Sequence, residues 1–266
     1  MSRPFIALAS IAALGAAGAV AQSVKPSAEI AAAVASPTRT PANVQRDRYR
    51  HPAETLAFFG VKPTDTIVEF SPGGGWYTEI LAPLVKGRGR YIAWTSTTGA
   101  ERTRAMLAAK EAQFGPTTVA TMDYATGVST VPPGSADVVL TFRNVHNILM
   151  SPNPEAPAGA FTAFYQALKP GGVLGVVDHR LPEGMDAAKE KSSGYVKRST
   201  VVRLAEAAGF RLAGESEVNA NPRDTHDHAE GVWTLPPSYR LKDVDRAKYA
   251  AIGESDRFTL KFVKPR

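Results

Sequence analysis

His146 stands in the run Phe142-Arg143-Asn144-Val145-His146-Asn147, directly after the apolar segment Ala136 to Phe142. Imidazole changes charge near neutral pH, so a histidine at the open end of a strand can take a proton from a substrate. Asp178-His179-Arg180 ends a second apolar segment. There Asp178 can orient an imidazole or bind substrate, and His179 is a further candidate catalytic residue. A third cluster, Asp224-Thr225-His226-Asp227-His228, has the residue types of a metal site. Its short span favours a polar loop instead, and no metal is expected. The chain has no cysteine, and no serine stands in a recognisable nucleophile setting.

A different chemistry is offered by Val68-Glu69-Phe70-Ser71-Pro72-Gly73-Gly74-Gly75-Trp76-Tyr77-Thr78-Glu79-Ile80. Consecutive glycines let the backbone approach a ligand closely, and a helix that follows presents unpaired N–H groups to it. A dinucleotide loop would carry another glycine where Thr78 stands. A phosphate-binding Walker loop would carry Gly-Lys-Ser/Thr, which is absent.

These residues need a scaffold, and the hydrophobic pattern supplies one. Ala53 to Phe59 reads as a helix closed by Gly60, followed by the strand Thr66 to Phe70. Trp76 to Val85 is a helix, Arg90 to Trp94 a strand, and Glu101 to Phe114 a helix. Thr117 to Met122 and Ala136 to Phe142 are strands. Ala158 to Leu168 is a helix stopped by Lys169-Pro170-Gly171-Gly172, with the buried strand Val173 to Val177 after it. Ser199 caps a helix that Gly209 ends, and Arg211 to Val218 and Phe258 to Val263 are the last strands. The run Phe258 to Phe262 alternates strictly, as an antiparallel strand with one wetter face would. The expectation is an α/β chain, a doubly wound, mostly parallel seven-stranded sheet with an antiparallel last strand, binding ligands at the carboxyl ends of its strands.

The loop resembles the Asp/Glu-x-Gly-x-Gly-x-Gly motif of the class I S-adenosylmethionine-dependent methyltransferases. Glu69 takes the acid position, Ser71 replaces the first glycine, and Gly73 and Gly75 are the others. Leu168-Lys169-Pro170-Gly171-Gly172 is similar to the family's late turn. The resemblance implies a Rossmann-like fold and S-adenosyl-L-methionine as cofactor, bound by Glu69, Ser71, Gly73, Gly74, Gly75, Asp123 and Asn144. Asp123 sits where the family often reads the adenine amino group, and His146, Asp178 and His179 fall beside the transferred methyl. The acid that often ends the second strand and holds the ribose is missing, since no acid occurs between Glu79 and Glu101. A narrower similarity, to a bacterial group of secreted predicted methyltransferases, rests on Tyr49-Arg50-His51-Pro52, Pro72 to Tyr77, Asp178-His179-Arg180 and Asp256 to Phe262. The implied activity is methyl transfer to an unknown small molecule. The alternative is a non-catalytic periplasmic binding protein on the same fold.

Arg3, the apolar run Phe5 to Val20 and the triplet Ala19-Val20-Ala21 have the three parts of a secretory signal. Residues 1–21 are therefore expected to be a cleaved leader, 22–51 a tether or cap, and 52–266 the methyltransferase-like domain. The expected location is periplasmic or secreted, with no membrane attachment after cleavage. A net charge of +6 is too diffuse to argue for nucleic acid. The expected partner is a small-molecule substrate, and the oligomeric state is unknown.

Overall fold

A computed structural model of the chain describes residues 24–123 and 126–266. The expected leader lies outside the described residues. Among those described, no helix is long and apolar enough to cross a membrane.

The described residues form eight strands: β1 (Thr66–Phe70), β2 (Arg90–Ser96), β3 (Thr117–Met122), β4 (Ala136–Phe142), β5 (Leu168–Leu181), β6 (Val196–Lys197), β7 (Arg211–Ser216) and β8 (Arg257–Val263). Seven of them make a sheet in the order β3-β2-β1-β4-β5-β8-β7, and the two-residue β6 pairs with β5 alone. β8 runs antiparallel to both β5 and β7, while β3, β2, β1, β4 and β5 pair in parallel. The chain winds one way from β1 to β3 and the other way from β4 onward. That reversal leaves a crevice between the carboxyl ends of β1 and β4, where such sheets bind ligands.

Alternation along each strand fills both faces. Val68 and Phe70 of β1 point to one core with Trp94, Phe161, Phe164 and Leu174, while Ile67 points to the other with Phe59, Ile80, Leu81, Tyr91 and Leu140. Phe164 is fully buried, with Phe70, Trp94 and Phe161 rings 4.9–5.5 Å away. Truncating such a ring costs about 3–5 kcal/mol.

The residues before the sheet form a packed cap, not a loose tether. It comprises α1 (Ala28–Val34), α2 (Pro41–Val44) and α3 (Asp47–Arg50), leading into α4 (Pro52–Phe59). Ile30 is buried under α1, and Arg39 makes a bidentate pair with Asp47 at 2.6 and 2.8 Å. The cap is pinned to α5 (Thr78–Val85) through Glu79, whose carboxylate accepts from Thr40, Asn43 and Lys110.

Several local expectations shift. The helix expected over Glu101 to Phe114 breaks into α6 (Ala100–Ala108) and α7 (Glu111–Phe114) at Lys110, whose backbone leaves the helical region while its amine reaches Glu79. After α8 (Val145–Leu149) and α9 (Ala156–Ala167), the expected Lys169-Pro170-Gly171-Gly172 turn is absorbed into β5, with a register shift opposite Ala136 and Val138. Ser199 lies inside α10 (Arg198–Ala207), behind the extended Lys197, and its hydroxyl donates to Glu183 instead of capping. The expected wetter face of β8 is largely buried, because α4 packs on it: Thr259 has no exposed surface, Asn219 bridges Thr259 to Thr55 of α4, and Lys261 donates to the Phe58 carbonyl. The last helix is α11 (Arg246–Ile252).

Candidate functional site

A cavity of about 350 Å³ opens at the carboxyl ends of β1, β4 and β5. Its floor is the loop after β1. Ser71 (φ 55°) and Gly73 (φ 60°) both adopt left-handed backbone, which serine tolerates poorly and glycine freely. A Cβ placed on Gly73 or Gly74 would meet no atom within 4 Å, so the loop presents bare backbone to open space. Gly75 differs: a Cβ there would lie 2.9 Å from Met106 Sδ, so this glycine serves packing and does not line the cavity.

Glu69 lines the cavity but is already engaged. Its Oε2 accepts from Tyr91 Oη at 2.6 Å and Thr78 Oγ1 at 2.9 Å. Burial pushes its carboxyl up to about 7, against the lowering effect of those two hydrogen bonds. Asn144 also lines the cavity, yet its amide donates to the carbonyls of Phe70, Ser71 and Phe142. It ties the glycine loop to the end of β4. Asp123 is exposed at the end of β3, outside the cavity lining. The hydroxyl of Ser96, at the end of β2, accepts from Gly99 N–H and caps the following turn.

The three candidate catalytic residues do converge. His146 Nδ1 lies 2.8 Å from Asp178 Oδ1, and the His146 and His179 backbone N–H groups also donate to that carboxylate. A carboxylate can only accept, so Nδ1 carries a proton, and in the neutral imidazole Nε2 is the nitrogen with the lone pair. The His179 ring lies 5.0 Å from that of His146, with its Nδ1 2.5 Å from Ser255 Oγ. Burial, then His146 and the nearby arginines, hold His179 well below the usual imidazole range, so it stays neutral. Both rings line the cavity, with Trp233 beside His146.

The opposite wall was not anticipated. Because β8 is antiparallel, its beginning returns Glu254, Ser255 and Arg257 to the edge where the parallel strands end. The cap adds Asn43, Arg46 and Arg50, and Arg143 follows β4. Glu254 pairs with Arg46 at 2.6 Å, Arg50 at 3.0 Å and Arg257. Burial opposes its ionisation, but these guanidinium groups and Arg143 together hold its carboxyl far below the ordinary range. Burial and the neighbouring Arg257 push Arg143 down to about 10, still charged at neutral pH. Arg143 also adopts left-handed backbone, φ 61°. The sequence signal for this wall was thin: Arg46 and Arg50 near the start, Arg143 and Arg257 far along the chain, joined only by the fold.

His146, Asp178 and His179 place one ligand atom each within 4.8 Å of one another, close enough for a metal ion. The surrounding guanidinium groups disfavour a divalent cation there. The Asp224 cluster is a structural hub instead. Asp224 accepts from Tyr195 Oη, the Asp256 and His226 N–H groups and His228 Nε2.

Residues 68–176 match the family model for a methyltransferase domain, and no curated protein matches the chain. Solved structures do. A SAM-dependent methyltransferase from Aquifex aeolicus superposes with a TM-score of 0.54 at 17% identity, covering 84% of this chain and 93% of its own. One from Methanosarcina mazei gives 0.51 at 13%, covering 77% and 94%. The cyclase SpnF gives 0.58 at 15%, covering 86% and 85%, so the fold is shared with chemistry other than methyl transfer. The chain thus has the Rossmann-like fold of the class I methyltransferases, and its residues 68–176 match their methyltransferase-domain model.

Proposed function

We propose that this chain transfers a methyl group from S-adenosyl-L-methionine to a small-molecule acceptor held between the glycine loop and His146. The observation that carries the reading is one cavity with the bare Gly73-Gly74 backbone on one side and the Asp178-bound His146 on the other. The residues present suit the cofactor. The loop leaves open space above its backbone, within the same cavity that His146 lines. When bound, the cofactor supplies an electrophilic methyl on a sulfonium, displaced in line.

Alignment of donor and acceptor provides much of the acceleration in such a displacement. The chain's part is to position the acceptor and to manage its proton. Asp178 fixes the His146 tautomer, and Nε2 takes the proton from an acceptor hydroxyl or amine. His179, which burial and the nearby cations keep neutral, resists that proton and lines the cavity beside His146. Trp233 and Val232 give that side of the cavity an apolar lining.

A binding module is the second reading, favoured by a β2 end without an acid and with its Ser96 hydroxyl spent on a cap. Methyl-labelled cofactor incubated with the mature chain and a panel of small acceptors separates the two. Label transferred to an acceptor, and lost in His146→Ala, supports the enzyme. Tight cofactor binding with no transfer to any acceptor supports the module. We also assign residues 1–21 to a cleaved leader and the mature chain to the periplasm or exterior.

A further inference from the structure

Four arginines lie around Glu254, and among the described residues it is the only carboxylate at this wall with which three of them, Arg46, Arg50 and Arg257, pair. Counting Asp178 and Glu69 as fully negative still leaves the cavity region with an excess positive charge. The guanidinium groups are also incompletely satisfied. Arg257, only 2% exposed, has a buried Nε without a hydrogen-bond partner, as do Nη2 of Arg46 and both Nη atoms of Arg50. Among the described residues no protein acceptor meets the Arg143 guanidinium, which lines the cavity from a strained backbone position. Buried charged donors left unpaired are costly, and strain of this kind persists where function needs it.

S-Adenosylmethionine does not supply the missing charge. It carries one carboxylate against an ammonium and a sulfonium, so it adds a net positive charge to a site that already has one. The compensating anion has to come from elsewhere. Resting on the methyl-transfer reading above, we propose that the acceptor is itself an anion, bearing a carboxylate or phosphate that docks on Arg143, Arg46 and Arg257. The acceptor's anion and the cationic cofactor then favour each other's binding, and the neutral product S-adenosylhomocysteine binds more tightly than S-adenosylmethionine when no anion is present.

Arg143 and Arg46 are suited to a test, because the first has no protein partner and the second is partly exposed. Calorimetry would titrate succinate and inorganic phosphate into the mature chain saturated with S-adenosylhomocysteine. The expected result is saturable binding that weakens about 10–100-fold in Arg143→Gln and Arg46→Gln, the worth of one charged hydrogen bond. Affinity for S-adenosylhomocysteine stays within about threefold in both variants, and succinate or phosphate tightens S-adenosylmethionine more than S-adenosylhomocysteine. Loss of S-adenosylhomocysteine affinity with anion binding unchanged would overturn the proposal and assign the arginines to the cofactor's own carboxylate. Absence of anion binding to the loaded wild type would overturn it too. Failure of the wild type to bind S-adenosylhomocysteine at all is a separate outcome, and it removes the methyl-transfer reading on which the proposal rests.

Discussion

His146 and Asp178 stand 32 residues apart in the chain and 2.8 Å apart in space. That pairing was legible only as two strand ends facing one cleft; the hydrogen bond itself needed the sheet order. If His146 removes the acceptor's proton, His146→Ala lowers turnover about 10²–10⁴-fold while S-adenosylhomocysteine affinity changes less than about threefold. Equal losses of both, measured by steady-state kinetics and calorimetry, would mark a structural histidine. Glu69 makes a pH prediction. Its folded value, about 7, lies above its unfolded value near 4.5, so between them the folded chain holds a proton that the unfolded chain has released. Stability attributable to this carboxyl is full below pH 4.5 and falls as pH rises toward 7, by about 1.4 kcal/mol per unit. Glu69→Gln has no such titration. Denaturant melts should therefore show Glu69→Gln gaining stability relative to wild type from pH 5 to 7; a constant difference across that window contradicts the buried-acid account. Arg143 and Arg257 stood in stretches singled out from the sequence but were given no role there, because an isolated arginine or a lone acid such as Glu254 most often sits in solvent. Only burial beside one another makes them a site.

At the scale of elements, the glycine loop was read from its composition, but the three glycines do different work. Gly73 needs its positive φ, Gly74 has ordinary backbone above open space, and Gly75 makes room for Met106. Gly74→Val therefore fills the cavity floor without backbone strain. The expected outcome is loss of cofactor binding with an unchanged melting temperature. Gly73→Val, in contrast, also forces a branched residue into left-handed backbone, at about 1–2 kcal/mol. It should lower the melting temperature as well. A Gly74→Val variant that binds the cofactor as wild type does would make the loop a simple turn. The main strands were legible because their apolar runs are short, buried on both faces and bounded by turn residues. Element ends were not, where a single side chain decided them. Lys110 breaks a helix to reach Glu79, and Ser199 bonds Glu183 in place of its own helix end.

Across the whole molecule, the alternation of strands and helices carried the sheet, and the strict alternation of Phe258 to Phe262 carried its antiparallel strand. What the pattern could not carry was where that strand inserts. Its place between β5 and β7 pairs both its edges and brings Glu254 and Arg257 to the ligand edge, while α4 covers the Thr259 face. The cap follows the same logic, since Arg46 and Arg50 acquire meaning only when α2 and α3 pack beside Trp76. Secretion is testable apart from the fold: mass spectrometry of exported protein should find Gln22 as the first residue, and an intact 1–21 segment would reverse the assignment. The account as a whole stands on one cavity receiving the cofactor. Calorimetric titration of the 22–266 chain with S-adenosylhomocysteine tests this most directly. The account predicts saturable binding of one equivalent that disappears in Gly74→Val. No saturable binding to the wild type, or equal binding to both, would contradict it.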